Sequence, residues 1–150
     1  MTDYPYNLGT YGRAVTTQNA QAQLWFNRGL AWTFGFNHKE AIACYTRAAQ
    51  ADPTCAMAQW GVAYAAGPNY NMTWDLYDEK GLREALAQAY DATQAALALL
   101  DQVTAPERAL IEALAIRYPQ RTPVEIEVME GWNAAFAQAM RAAHAAHPDD

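Results

Sequence analysis

His38, Cys55 and Met57 are the residues of this sequence whose side chains could bind a transition metal together. Imidazole, thiolate and thioether groups form a soft ligand set that suits copper. No local spacing joins the three residues, so only the packing of helices could bring them together. For His38, which stands beside Glu40, we prefer a packing role in a turn between helices. A metal-dependent enzyme or ligand-binding protein is thus an alternative hypothesis, and the main prediction is a chain without metal or other cofactor.

The segment 67–81, GPNYNMTWDLYDEKG, concentrates groups that could bind a ligand. Asn69 and Asn71 supply amides and Trp74 supplies a large ring, all within one short stretch. Binding residues are common on loops that a rigid scaffold holds in place. The amides could equally satisfy the backbone of the loop itself, because asparagine is a frequent turn residue. We include all three in the predicted binding site.

The motifs of several enzyme classes are missing from the sequence. It contains no glycine-rich phosphate loop, no nucleophile elbow, no closely paired cysteines and no His-x₃-His metal site. His144 and His147 lie three residues apart near the end of the chain, where we expect both to be solvated. We therefore predict no catalytic residue.

The charge balance excludes another class of partner. The 150 residues carry a net charge of −6 and no run of lysine or arginine, whereas nucleic-acid binding needs a basic surface. The first 20 residues contain no apolar stretch of the kind found in signal peptides, and no segment is apolar enough to span a membrane. Without a secretion signal, Cys44 and Cys55 are expected to be reduced and buried. These features predict an acidic cytoplasmic domain with no nucleic-acid or membrane partner.

A helical repeat pattern predicts how the chain is organised. Trp25, Gly29 and Trp32 share one stripe of a first helix, Ala41 and Tyr45 begin the same stripe on a second, and a proline follows at position 53. This order matches the tetratricopeptide repeat (TPR). The fold class predicted is therefore all-α, with about six helices in three antiparallel pairs that form a short right-handed solenoid.

The remaining elements follow from the first repeat, 22–54. Residues 1–18 have no helical period but are rich in tyrosine, so we expect an extended arm that packs on the helices. A degenerate second repeat occupies 55–100 with the insertion 67–81, and a third pair occupies 104–147. The second expected helix is capped by Asn37 and ends near 51. The other expected helices are 19–35, 55–66, 82–100, 105–118 with Thr104 as its cap, and 124–146.

Three stretches, 8–17, 22–38 and 36–71, resemble the N-terminal part of a group of longer microbial TPR proteins. The resemblance is strong over the first half of the chain and weak beyond it. It implies further repeats after Asp150, and it implies that His-x-Glu, Cys-x-Met and Gly-Pro-Asn-x-Asn are fixed features. It supplies no biochemical activity. Relatives often carry a second cysteine where this chain has Ala58, which weakens any cysteine-pair site.

In this architecture the first helix of each pair lines the concave face. The residues predicted to line this groove are Phe26, Leu30, Phe34, Met57, Trp60 and Tyr64. The lining is aromatic and uncharged, which suits an apolar peptide, a small molecule or the chain's own arm. The function predicted is a scaffold module that binds a protein or peptide partner through this groove and the 67–81 loop.

The last predicted helix carries a second candidate interface. Val128, Trp132, Phe136 and Met140 recur at four-residue intervals. One preceding helix can cover only part of such a stripe, and contiguous exposed apolar surface marks an interface. We therefore expect this end of the chain to associate with a second copy or with further repeats of a parent protein.

Overall fold

The computed structural model describes residues 4–150, and these residues form helices joined by short connections without any β-strand. The α-helices are α1 (Ala20–Phe34), α2 (His38–Ala51), α3 (Ala56–Ala66), α4 (Glu79–Leu97), α5 (Ala105–Arg117) and α6 (Ile126–Ala146). Short 3₁₀ turns lie at Trp74–Leu76 and Leu100–Gln102. The predicted all-helical class is confirmed.

Each α-helix packs against the next one along the chain as its antiparallel neighbour, and α1 also contacts α3. Asn19, at the start of α1, donates from Nδ2 to the carbonyl oxygen of Ala51 at the end of α2, 2.7 Å away. Two such reversals make α1 and α3 parallel. The turn after α1 and the loop after α3 therefore share one end of the bundle, which we call the loop end.

Two predicted N-caps are present, with different details. Thr104 and Glu107 form a full capping box at the start of α5. Asn37 accepts a hydrogen bond from the Glu40 backbone N–H, but the Glu40 side chain does not return to the Asn37 backbone. It accepts a hydrogen bond from the Tyr4 hydroxyl instead, 3.0 Å away. This Glu40 carboxylate therefore serves the arm rather than the cap.

Two helix starts differ from the prediction by more than one residue. Helix α4 begins at Glu79 rather than at 82, because the Asp78 side chain caps it by accepting from Gly81 N. The insertion therefore ends at 78. Helix α6 begins two residues later than 124 and without a side-chain cap at Glu125.

The fully buried ring of Tyr45 is the centre of the α1–α2–α3 contact. An added Cβ on Gly29 of α1 would lie 2.6 Å from the ring, and one on Gly61 of α3 would lie closer still. The Tyr45 hydroxyl is 3.1 Å from Oγ1 of Thr33, which itself donates to the Gly29 carbonyl. Two glycines on two helices thus make room for one ring, and this sets the spacing of three helices.

Over the described residues, the arm contacts α1 and α2. Tyr4 stands edge-on to Trp25, and Tyr6 stands edge-on to Trp32. Trp32 Nε1 donates to the Tyr4 hydroxyl at 2.6 Å. Burial, with help from the Cys44 thiol, raises the pKa of Tyr4 above its ordinary value, so its hydroxyl stays neutral. Residues 1–3 lie outside the described chain.

Further along, the arm joins distant parts of the chain at the end opposite the loop end. Thr16 donates to the Glu107 carboxylate at the start of α5, through both its backbone N–H and its hydroxyl. Arg13 forms an ion pair with Asp150 at 2.5 Å. The arm therefore contacts the first helical pair, helix α5 and the last residue of the chain.

Candidate functional site

The predicted groove residues do not form one accessible surface. Phe26, Met57 and the loop residue Trp74 are at most 1 % exposed, and Leu30 is also buried. Phe26 packs on Tyr45 in the core. The physical reason is that nearly every residue of α3 is buried, so α3 leaves little surface to line a groove. For these four residues the expectation of ligand contact is corrected: they are core residues in this structure.

Trp60 and Tyr64 are neighbours on α3, and Trp60 contacts α5. Their rings stack with centroids 5.1 Å apart, and Trp60 Nε1 donates to the Leu110 carbonyl at 3.2 Å. Trp60 is buried, whereas Tyr64 is half-buried. Trp60 therefore joins α3 to α5, and only Tyr64 of this pair presents appreciable surface.

Phe34 is the member of the predicted groove set that is well exposed, at 60 %. It ends α1, and Tyr11 of the arm packs edge-on against it. Two residues later, Phe36 is also exposed and has a φ of 59°. This left-handed conformation is unfavourable for a bulky residue. Two exposed phenylalanines thus mark the loop end, one of them on strained backbone.

The loop after α3 is closed by its own hydrogen bonds. Asn69 and Met72 exchange two backbone hydrogen bonds across a tight turn. The Asn69 side chain accepts from Asn71 N at 2.9 Å, so it serves the loop backbone, which is the structural role that its residue type favours. Asn71 is exposed, and Tyr70 between them is 90 % exposed. The turn therefore holds a tyrosine out into solvent.

Beneath this loop lies a buried aromatic cluster. Trp74 stands edge-on to Tyr118, whose hydroxyl lies so close to Gly67 that a Cβ there would overlap it. Burial raises the pKa of Tyr118 to about 12. Arg117 donates to the Pro68 carbonyl at 2.9 Å and so fixes the start of the loop to α5. The cluster anchors the loop and is not itself open to a ligand.

The alternative metal site is not assembled, because His38 begins α2 at the loop end whereas Cys55 precedes α3 at the opposite end. Cys55 and Met57 are buried in the core, while His38 is half-buried near the Phe36 ring. Among residues 4–150 there is no group of three or more His, Cys, Asp or Glu that could hold a metal ion. Burial raises the pKa of both cysteine thiols, Cys44 and Cys55, which disfavours the thiolate that metal binding needs.

Comparison with known proteins gives no match: no family model, no curated protein and no solved structure is significantly similar to this chain. Within the described part of the chain, none of the helices combines the length and the hydropathy needed to cross a lipid bilayer.

Sequence reasoning missed Tyr70 and Phe36 as exposed residues, and it also missed the burial of α3. The burial had a signal, because 56–66 reads AMAQWGVAYAA and carries only one polar amide. A helix that is apolar all round is buried on all sides. Phe36 had no signal, since a left-handed backbone at a phenylalanine cannot be read from residue type.

Proposed function

We propose that this protein is a TPR-like helical-repeat scaffold that binds a protein or peptide partner through aromatic residues at the loop end. The proposed binding surface consists of Phe34, Phe36, Tyr70 and Asn71. It retains Phe34 and Asn71 of the predicted set, and it omits the buried residues together with the half-buried Tyr64 and Asn69. Three antiparallel helical pairs in sequence support the repeat architecture, and the net charge of −6 favours a partner other than nucleic acid. The cytoplasmic location stays a prediction.

The observation that carries this proposal is the 90 % exposure of Tyr70 on a hydrogen-bonded turn. A tyrosine offers a large contact area at low entropic cost, and it is enriched in binding sites for this reason. The Arg117 contact to Pro68 and the Asn69–Met72 turn restrict the loop before any partner arrives. A partner would therefore meet an aromatic contact that is largely preorganised.

The first prediction tests this surface with selected peptides. Peptides taken from a displayed random library against the wild-type protein are expected to be aromatic or apolar. Their affinity should fall about tenfold or more in Tyr70→Ala and in Phe34→Ala. Because both side chains are exposed, the melting temperature should change little. Isothermal titration calorimetry and thermal unfolding measure the two quantities.

His144→Ala is the matched control, since this exposed residue lies on the last turn of α6, far along the chain from the loop end. It should leave peptide affinity unchanged. The proposal is wrong if selected peptides bind equally well to the Tyr70 and Phe34 variants, or if no peptide is selected at all.

Self-association through α6 is a second proposal on partners. Only Met129 of this helix is fully buried. Trp132 and Phe136 pack partly against the core, and Phe136 lies under the Arg117 guanidinium at 4.9 Å. Val128 is 47 % exposed. The apolar stripe is thus covered in part by its own chain, and Val128 is its most accessible member.

The prediction is that light scattering at micromolar concentration shows a dimer or larger species. Val128→Glu should shift this species toward monomer, because it places a charge on the exposed end of the stripe. The half-buried Met140→Glu should do so as well, with some loss of stability. A wild-type chain that scatters as a monomer at all accessible concentrations would contradict the proposal.

A further inference from the structure

A half-open pocket of about 330 Å³ lies between the arm and α1. Its wall on the arm side is residues 6–11, and its wall on α1 is formed by Leu24, Asn27, Arg28 and Ala31. The volume is at the lower end of the range for small-molecule sites and leaves little room for a folded partner. Tyr6, Tyr11 and Leu24 give the pocket apolar sides. A compact ligand with an apolar body fits these dimensions.

Arg28 is the cation of this pocket, and it forms no ion pair with any of residues 4–150. Its guanidinium stacks 4.2 Å over the Tyr4 ring and 4.4 Å over the Trp25 ring. Its Nη1 is buried and has no hydrogen-bond acceptor among residues 4–150. A buried guanidinium group without an acceptor is costly, and native proteins usually supply one. The stacking fixes the plane of the group while a hydrogen-bonding position stays unused.

The Trp25 ring also carries a second arginine. The Arg47 guanidinium stacks on this ring at 4.6 Å from its centroid but does not line the pocket. Among the described residues neither arginine forms an ion pair, whereas Arg13, Arg83, Arg108 and Arg121 all do. The nearby Glu40 carboxylate accepts a hydrogen bond from Tyr4 and is not within ion-pair distance of either arginine. Among residues 4–150, Arg28 and Arg47 are thus two cations without an ion pair, in a protein of net charge −6.

Asn27 adds a neutral donor to the same wall. Its Oδ1 accepts from Arg13 N at 3.2 Å and from Gln23 Nε2 at 2.9 Å. Both bonds are accepted by the amide oxygen, so the amide nitrogen Nδ2 is the atom of this side chain that can donate. A guanidinium and an amide N–H are the donors that a carboxylate accepts from.

We propose that this pocket binds a small organic carboxylate with an aromatic or other apolar body. The carboxylate accepts from Arg28, with Asn27 as a second donor, and the body lies between Tyr6, Tyr11 and Leu24. This site adjoins the loop-end surface, because Tyr11 packs on Phe34. Its test uses a carboxylate probe and Arg28, which the loop-end proposal does not involve, so that either proposal can fail without the other.

Phenylacetate is the probe, and phenylacetamide is its uncharged counterpart of nearly equal shape. Titration followed by NMR or calorimetry should show saturable binding of phenylacetate and binding of the amide that is at least about tenfold weaker. Arg28→Gln should lower phenylacetate affinity by a similar factor. Arg47→Gln is the matched control, because Arg47 also stacks on Trp25 but does not line the pocket; it should change affinity less than about twofold.

Thermal unfolding of Arg28→Gln shows whether the variant is folded. If it is not, the comparison of phenylacetate with phenylacetamide on the wild-type protein decides the question without any substitution. Equal affinity for the two probes overturns the proposal, as does an absence of saturable phenylacetate binding. Equal losses of affinity in the Arg28 and Arg47 variants would also overturn it, because they would show a diffuse charge effect instead of a site.

Discussion

Replacing either Gly29 or Gly61 by leucine is expected to lower the free energy of unfolding by about 3 kcal/mol, the upper end of the cost of overpacking a core. Both glycines face the ring of Tyr45, and a Cβ on either one would lie well inside normal contact distance of that ring. The ring cannot simply turn away, because it is fully buried and its hydroxyl is hydrogen-bonded to Thr33. Helix α1 or α3 must therefore move away from α2. Chemical denaturation measures the change.

Gly131→Leu is the matched control for these substitutions. Gly131 lies within α6, and a Cβ built on it meets nothing within 4 Å. Its replacement should be neutral or stabilising by roughly 0.5–1 kcal/mol, because leucine is a better helix former than glycine. If all three glycine variants unfold at the same denaturant concentration, the packing around Tyr45 is not as described.

The double variant Gly29→Leu/Gly61→Leu gives a sharper test. Both substitutions displace one ring, so the second should cost less once the first has moved it. The destabilisation of the double variant should fall short of the sum of the two single variants by more than the ~0.5 kcal/mol scatter expected of independent sites. Strict additivity would mean that the two contacts do not share the Tyr45 ring.

The same packing shows how far the sequence predicts the fold. Gly29 and Tyr45 belong to the repeat pattern, and the helices fall close to their expected positions because local periodicity and caps define them. Gly61 was not singled out, because its contact with Tyr45 joins α3 to α2 and so lies outside the α1–α2 pair that the repeat pattern describes. Such a contact depends on the rotation of each helix about its axis, which the residue pattern of α3 leaves undefined.

The candidate site was less predictable for a related reason. The groove residues were assigned from one face of α1 and α3, but that assignment presumes that one face stays open. Helix α3 buries most of its surface, so Met57 and Trp60 became core residues. Phe34 escapes burial because it ends α1. The pocket beside Arg28 depends on the path of an arm without regular structure, and no periodicity encodes that path.

Glu107→Ala is the second substitution with a large expected effect, at about 3 kcal/mol of lost stability. The Glu107 side chain is 2 % exposed and accepts hydrogen bonds from the backbone N–H and the hydroxyl of both Thr16 and Thr104. Its removal leaves these donors without their acceptor and releases the arm from α5. Glu112→Ala is the control, since its 3.5 Å ion pair with Arg108 is on the surface and should contribute less than about 1 kcal/mol. Equal effects of the two substitutions would contradict a special role for Glu107.

Glu107→Gln separates the charge of this group from its shape. Burial raises the pKa of Glu107, but the hydrogen bonds from Thr16 and Thr104 outweigh it and hold the pKa below its ordinary value. A carboxyl group whose pKa is lower in the folded state contributes stability that is fully present above its unfolded pKa of about 4.3. That contribution is lost as the pH falls through the folded pKa.

The stability difference between wild type and Glu107→Gln should therefore be constant near neutral pH and should shrink below about pH 4. Denaturation curves from pH 7 down to acid measure this difference directly, and the other carboxylates, Asp52 included, cancel because both proteins share them. A difference that stays constant into the acid range would show that Glu107 contributes through its shape and not through its charge.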